Sequence, residues 1–393
     1  MSAMTGDSDT ARDLDLVLFG ATGFTGGLTA DYLAEHGPDG LRWALAGRNR
    51  AKLEAVRDRL GLPDLELVVV DASDQAALAG VVRRAKVAVT TVGPYQQLGG
   101  PLVAACAETG TDYVDLTGEP EFVDTMYVQH HETAEASGAR LVHACGFDSV
   151  PHDLGVYFTV KELAADGPIT VRGVARSNGT FSGGTFHSAI GAFSRAKQMA
   201  AAAKARRRAQ PKPADGRRSR AVAGKPHRDS TLGYWLVPLP TIDPQVVARS
   251  GAALPAYGPD FRYSHYAGTK TLRYAAGGLV GAGLVGVVAQ VPPARRFLLS
   301  KVPQGQGPDE ARRAKTWFTV DFVAESGGRT LHTRVSGGDP GYTETAKMLA
   351  ESALCLAFDD NPPTAGSVTT AQAMGDNLLA RLRGQGIRFD VVG

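Results

Sequence analysis

The chain has 393 residues, 43% hydrophobic and 21% charged, with a mean hydropathy of -0.12. This excludes whole-chain disorder and a multi-span membrane protein, and it is too much chain for one ordinary core, so two domains are expected. The formal net charge of +2 is unevenly spread: Arg195 to Arg228 holds twelve basic residues and one acid, Asp215, which leaves the remainder net acidic.

Glycine, at 47 residues, is well above the average of about 7%, which predicts many tight turns and close backbone approaches. Cys106, Cys145 and Cys355 show no CxxC spacing, so neither a disulfide scaffold nor a metal site is expected. The first thirteen residues are polar and lack the charged flank and apolar run of a secretory signal, so a cytoplasmic protein is expected.

From Leu14 short β-rich runs alternate with helix-length stretches: LDLVLF then 24–36, LRWALA then 50–60, LELVVV then 74–85, KVAVTTV then 97–109, TDYVDL then 121–137, and ARLVHA. Strand and helix in strict alternation predict an α/β fold with a Rossmann-type doubly wound parallel sheet over 14–150. After Pro151 the rhythm loosens, with candidate strands at 169–176, 260–266, 316–324 and 329–335. These predict a second, α+β domain over 151–339 for substrate binding and oligomerisation, a homodimer being one arrangement. The apolar face Ala346, Leu349, Ala353, Leu356 and Ala357 predicts a helix over 342–358 that docks back onto the first domain, which helices of 340–393 would complete.

The sharpest motif is GATGFTG: Gly20, Ala21, Thr22, Gly23, Phe24, Thr25 and Gly26, directly after the first strand and opening a helix. Gly20 permits a sharp turn, Gly23 lets backbone amides approach a pyrophosphate, and Gly26 allows close helix–strand packing at a helix N-terminus that favours anions. At the end of the second strand Gly47 and Arg48 stand where an NAD-selecting acid would be. Arg48, helped by Arg50 or Lys52, would pair with a 2′-phosphate, which favours NADP(H). Asp71 is a candidate adenine contact, with helix capping by Ser73 or Asp74 as its plain neighbour. Gly93, Pro94 and Tyr95 should border the nicotinamide half, and Tyr95 either donates a proton or packs the core.

In HACGFDSVPHDLG, Asp148 and Ser149 read as a helix cap before Pro151. The competing reading has Ser149 or His152 face the pocket and relay a proton. SGGT at 182–185 reads as a glycine turn, or as amides holding an anion. Ala275 to Val291 carries no charge and admits three readings: a buried helix or acyl-pocket wall, which is preferred, a membrane-surface contact, or a span. The segment 196–228 begins as an alanine-rich helix and its second half reads as a surface loop, the basic stretch 204–228 being assigned to that loop; its charge would also suit an anionic membrane or an acidic carrier protein. No aromatic residue lies between 194 and 233 to stack bases, so no nucleic acid is expected.

GATGFTG, LAGR, TVGPY, GTDYVDLTGE (110–119), HACGFDSVPHDLG (143–155) and AQAMGDNLLARLRGQGI (371–387) together resemble the saccharopine-dehydrogenase-like oxidoreductases, in particular the actinobacterial trans-acting enoyl reductases. The resemblance implies a nicotinamide-binding Rossmann domain and a second α+β domain inserted before a returning C-terminal helix. It also implies NADPH-dependent reduction of a carbon–carbon double bond on an acyl thioester carried by a polyketide synthase. Tyr95, Ser149 and His152 are the candidate catalytic residues. Two other functions stay open at this point, a saccharopine-like amino-acid dehydrogenase and an NADP-binding scaffold without turnover.

Overall fold

A computed structural model of the chain describes residues 12–71, 74–179, 183–301 and 307–393. The first sheet opens with β1 (Leu14–Phe19), β2 (Trp43–Gly47), β3 (Glu66–Val69), β4 (Ala85–Thr90), β5 (Asp112–Asp115) and β6 (Arg140–Val142), all parallel in the order β3-β2-β1-β4-β5-β6. Helices Phe24–His36, Arg50–Leu60, Gln75–Val82, Gly100–Thr109 and Pro120–Ser137 connect the strands. All six residues of β1 are buried, as a strand covered on both faces requires. Each such Leu or Val contributes about 1.5–3 kcal/mol. Asp15 is tolerated in β1 because Arg42 and Lys86 each approach it at 2.9 Å. Burial alone would raise its pKa, but these partners outweigh burial and hold the carboxyl below its ordinary range.

Helix Val150–Leu163 leads out of the first sheet into the second, made of β7 (Ile169–Ser177), β8 (Arg218–Ala221), β9 (His227–Arg228), β10 (Trp235–Pro238), β11 (Asp260–Thr269), β12 (Phe318–Ser326) and β13 (Arg329–Gly337). Along this sheet β13, β12, β7, β11, β10 and β9 are neighbours in turn, and β8 shares the edge of β11 with β10. Only β7–β11 and β8–β11 are parallel, which makes it a mixed sheet. Phe261, Tyr263, Phe318 and Phe322 fill its core.

The closing segment serves both sheets. Helix Thr343–Phe358 lies against β4, β5 and the first helix, and Tyr32 donates a hydrogen bond to Glu351 Oε1 at 2.8 Å. β14 (Gly366–Val368) then pairs parallel with β6, and β15 (Arg388–Val391) pairs antiparallel with β13. Strands of three and four residues carry too little pattern to be read in advance, which is why helices alone were expected here.

Two expectations for the second domain change. The basic stretch 204–228 is not loop throughout: the alanine-rich helix expected at the start of the segment, Ala196–Ala209, runs on into it and the short strands β8 and β9 follow. Nor is 275–291 a buried helix. It belongs to helix Leu272–Gln290, the one helix among the described residues long and apolar enough to cross a membrane, and only 12% of its apolar window is covered.

The crossing helix packs tightly on the second sheet at Gly155, where a Cβ would collide with the Phe322 ring and with Val335. Gly155→Val should therefore cost about 1–3 kcal/mol of stability, read by urea unfolding, while leaving NADPH affinity unchanged.

Candidate functional site

In a doubly wound sheet the ligand crevice forms where strand order reverses, here between β1 and β4 at their carboxyl ends. The GATGFTG turn lies there. Gly20 has φ +91°, and a Cβ on it would meet Thr91 Oγ1 at 2.5 Å. A Cβ at Gly26 would collide with the Gly20 carbonyl, so only glycine allows the helix to start this close to the strand. Thr91 fastens the turn to β4, its amide donating to Phe19 O at 3.1 Å and its hydroxyl to Gly20 O at 3.2 Å.

Helix Phe24–His36 begins with no side-chain cap and no acid in its first turn. Its leading amides are left for an anion. Ala21 is buried, Thr22 and Gly23 are exposed, and Phe24 and Thr25 are partly covered. The Phe24 ring turns toward the other domain, 4.9 Å from Tyr342 and 5.5 Å from the Arg313 guanidinium.

Arg48 follows β2, is exposed, and makes no ion pair among the described residues. Arg50, an expected helper, is engaged with Glu54 at 3.0 Å, and Asn49 caps the following helix through the Lys52 amide. Asp71 is exposed at the end of β3, with Gly93 exposed and Pro94 half-buried beyond the end of β4. The cap beside Asp71 is Asp74, which accepts from Ala77 N at 3.0 Å; Ser73 lies outside the described residues, as does Ser182 of SGGT. An uncapped helix start, a glycine-tight turn and an unpaired guanidinium along one edge fit a dinucleotide with a third phosphate.

Of the two readings open for Tyr95, the structure shows the side chain packed in the core. Its buried hydroxyl donates to Thr90 O and accepts from the Leu116 amide, both at 3.2 Å, stitching β4 to the end of β5. Burial, then the charges of Asp115 and Glu119, push its pKa well above the ordinary tyrosine value. Glu119 fixes the same bend by accepting from the amides of Tyr95 (3.1 Å) and Gln96 (2.9 Å) and from Ser188 Oγ (3.1 Å).

The capping role expected of Asp148 and Ser149 is absent. Ser149 precedes helix Val150–Leu163 but its side chain makes no cap bond, and its buried Oγ has no hydrogen-bond partner among the described residues. Asp148 is half-buried beside Gly118, where a Cβ would stand 3.3 Å from Oδ1. Burial first, then the Asp243 charge, raise its pKa to about 7, against an opposing pull from His152.

His152 is buried with Nδ1 2.8 Å from Asp243 Oδ1, out of line for a hydrogen bond, and its Nε2 is unpartnered. His265 on β11 approaches the other oxygen of Asp243 at 3.7 Å and is paired with the Tyr263 hydroxyl at 3.0 Å. Burial holds His265 down to about 4, so it is neutral near pH 7. Two imidazoles and a carboxylate are a donor set that zinc accepts. The 2.8 Å approach is closer than the roughly 3.3 Å separating two tetrahedral ligands at about 2.0 Å from zinc, so the trio as arranged is a contact cluster.

Nothing in the local pattern around Asp243 or His265 pointed to the site, because both arrive from the second domain. A hollow lined by Val160, Lys161, Arg217, Pro255 and Pro259 lies at the far end of the crossing helix from Ser149.

Residues 16–142 match the saccharopine dehydrogenase NADP binding domain. A Mycobacterium tuberculosis relative named for trans-acting enoyl reduction is 39% identical over 96% of this chain and 97% of its own length. The trans-acting enoyl reductase of Mycobacterium ulcerans is 36% identical over 97% and 98%. This chain belongs to the trans-acting enoyl reductase family. NADP(H) is its cofactor and the chain is an NAD(P)-dependent oxidoreductase. The saccharopine dehydrogenase (L-Glu forming) of Saccharomyces cerevisiae, 12% identical with a TM-score of 0.57 over 97% of this chain and all of its own, shares the fold.

If Arg48 meets the 2′-phosphate, Arg48→Glu should weaken NADPH binding about 10- to 100-fold, the weight of a hydrogen bond to a charged group, and leave NADH affinity within about threefold. Gly26→Val should abolish binding of both nucleotides. Fluorescence titration of the purified variants checks both.

Proposed function

We propose that this family member reduces the carbon–carbon double bond of a polyketide- or lipid-type acyl thioester with NADPH, acting apart from the synthase that builds the chain. The observation that carries the reading is end-to-end kinship with trans-acting enoyl reductases, joined to an uncapped glycine turn and a free Arg48 at the crevice. In this reading residues 14–150, completed by 340–393, hold the dinucleotide and 151–339 bind substrate. The amides of Gly23 to Gly26 hold the pyrophosphate, Arg48 the 2′-phosphate, Asp71 the adenosine, and Gly93 and Pro94 border the nicotinamide. When bound, NADPH supplies a hydride equivalent to the β-carbon.

The chain's own groups then manage charge and proton. Ser149 Oγ, buried and unpartnered, donates to the thioester carbonyl as negative charge develops there. The Asp148 carboxyl, which keeps its proton to about pH 7, delivers that proton to the α-carbon and is reprotonated from solvent. Burial and the Asp243 charge keep it protonated against the opposing pull of His152.

The setting we infer is cytoplasmic, with a carrier-bound substrate and a dimer as the assembled form. Of the arginines at 206–208, Arg206 is not available for docking: it is buried, and its guanidinium bonds Asp124 and Gln210. Arg207 and Arg208 are exposed and free to meet an acidic carrier. Arg207→Glu with Arg208→Glu should lower kcat/KM for carrier-bound substrate about tenfold and leave a free thioester unaffected; equal losses on both would remove the docking role.

NADPH oxidation with a panel of enoyl thioesters, ketoacyl thioesters and lysine-derived amino acids tests the reaction. Turnover of enoyl thioesters alone is expected, whereas activity only on amino acids, or tight NADPH binding without turnover, defeats the reading. Because the working form of Asp148 is protonated, kcat should fall as pH rises through about 7. Asp148→Asn should remove that limb together with about 100-fold of the rate. The folded state also holds this proton more tightly than the unfolded chain, so stability declines from the ordinary carboxylate range up to about pH 7, and the Asn variant lacks that slope.

A further inference from the structure

Helix Leu272–Gln290 presents an outward side unlike that of a helix facing water. Val280, Leu284, Val287 and Val291 recur at intervals of four, three and four residues, which aligns them in one stripe. Val280, Leu284 and Val287 are 72%, 64% and 66% exposed. Roughly half a turn away the helix faces protein: Ala275 and Ala289 are buried and Gly286 lies against the Phe193 ring. Surface helices ordinarily turn polar residues outward. Here no charged residue occurs between Arg273 and Arg295.

The charges around the stripe say what covers it. From residue 261 to residue 308 there is no acid and there are six bases, Arg262, Lys270, Arg273, Arg295, Arg296 and Lys301. Lys270 and Arg273 stand at one end of the helix, Arg295 and Arg296 just past the other, with Tyr274 exposed at the first end. A nineteen-residue helix is about 28 Å long, so the cations bracket a continuous apolar strip. Acyl chains accept the strip and anionic headgroups accept its cationic ends. A second copy fits less well, since pairing two such stripes sets bases against bases with no acid to compensate. Spanning is disfavoured because the inner face is packed on helix Gly183–Ser194 and on β10.

We propose that this helix is a monotopic anchor seating the protein on an anionic lipid bilayer, with Val280, Leu284, Val287 and Val291 at the acyl boundary and Lys270, Arg273, Arg295 and Arg296 among the headgroups. The anchor goes beyond the reductase reading and does not depend on which substrate is reduced.

Flotation of the full-length protein with vesicles of phosphatidylcholine, with and without phosphatidylglycerol, tests it. Uptake is expected on the phosphatidylglycerol vesicles and should weaken in high salt. Val280→Asp with Leu284→Asp, and separately Arg295→Glu with Arg296→Glu, should each reduce uptake at least about tenfold. NADPH affinity should stay unchanged in both variants, showing that the fold persists. Absence of uptake on either vesicle overturns the anchor, as does uptake that the Asp variant does not alter. Equal uptake on both vesicles overturns the headgroup contacts. If light scattering shows a wild-type dimer that the Asp variant converts to monomer, with no lipid uptake, the stripe belongs to a second copy and the proposal fails.

Discussion

Residue 26 rests against the carbonyl of residue 20, and that backbone-to-backbone approach is the constraint on which the cofactor edge depends. It draws the start of helix Phe24–His36 onto the end of β1, where Thr91 from β4 closes over the turn. The leading amides of the helix then point into the crevice with no side chain to satisfy them. Strand order brings Arg48 and Asp71 to the same edge from β2 and β3.

The passage between the domains buries two carboxylates five residues apart and treats them differently. Asp153 accepts from Ser250 Oγ at 2.5 Å, Thr370 Oγ1 at 2.7 Å and the Ala371 amide at 2.8 Å, so the crossing helix, the helix Asp243–Ala253 and the closing segment share one carboxyl. Asp148 has no hydrogen-bond donor among the described residues and stands in the field of Asp243. Donors hold the first acid in place as structure. Burial raises the pKa of both, but at Asp153 these donors pull against it, whereas at Asp148 the Asp243 charge adds to it.

Local periodicity made the βα alternation readable, because the central strands β1 and β4 are covered on both faces and carry mostly apolar residues. The glycine turn was readable for the same kind of reason, a steric demand met within seven residues. Arg206 was not. Within its run of three arginines it looks like its neighbours, and only Asp124, 82 positions earlier, distinguishes it. The surroundings of Tyr95 and Ser149 were not readable either: one hydroxyl accepts from the Leu116 amide, 21 positions later, and the other has no partner among the described residues.

The sequence by itself determined the nucleotide-binding edge, since tight turns, buried strands and helix starts are set by the residues that form them. Only the tertiary structure decided the surroundings of Asp148 and of the apolar helix. The environment of Asp148 depends on Asp243, 95 residues away, and whether Val280 and Leu284 meet protein or surroundings depends on what packs across them. Electrostatic field and burial are properties of groups brought together from distant positions, and no window along the chain contains them.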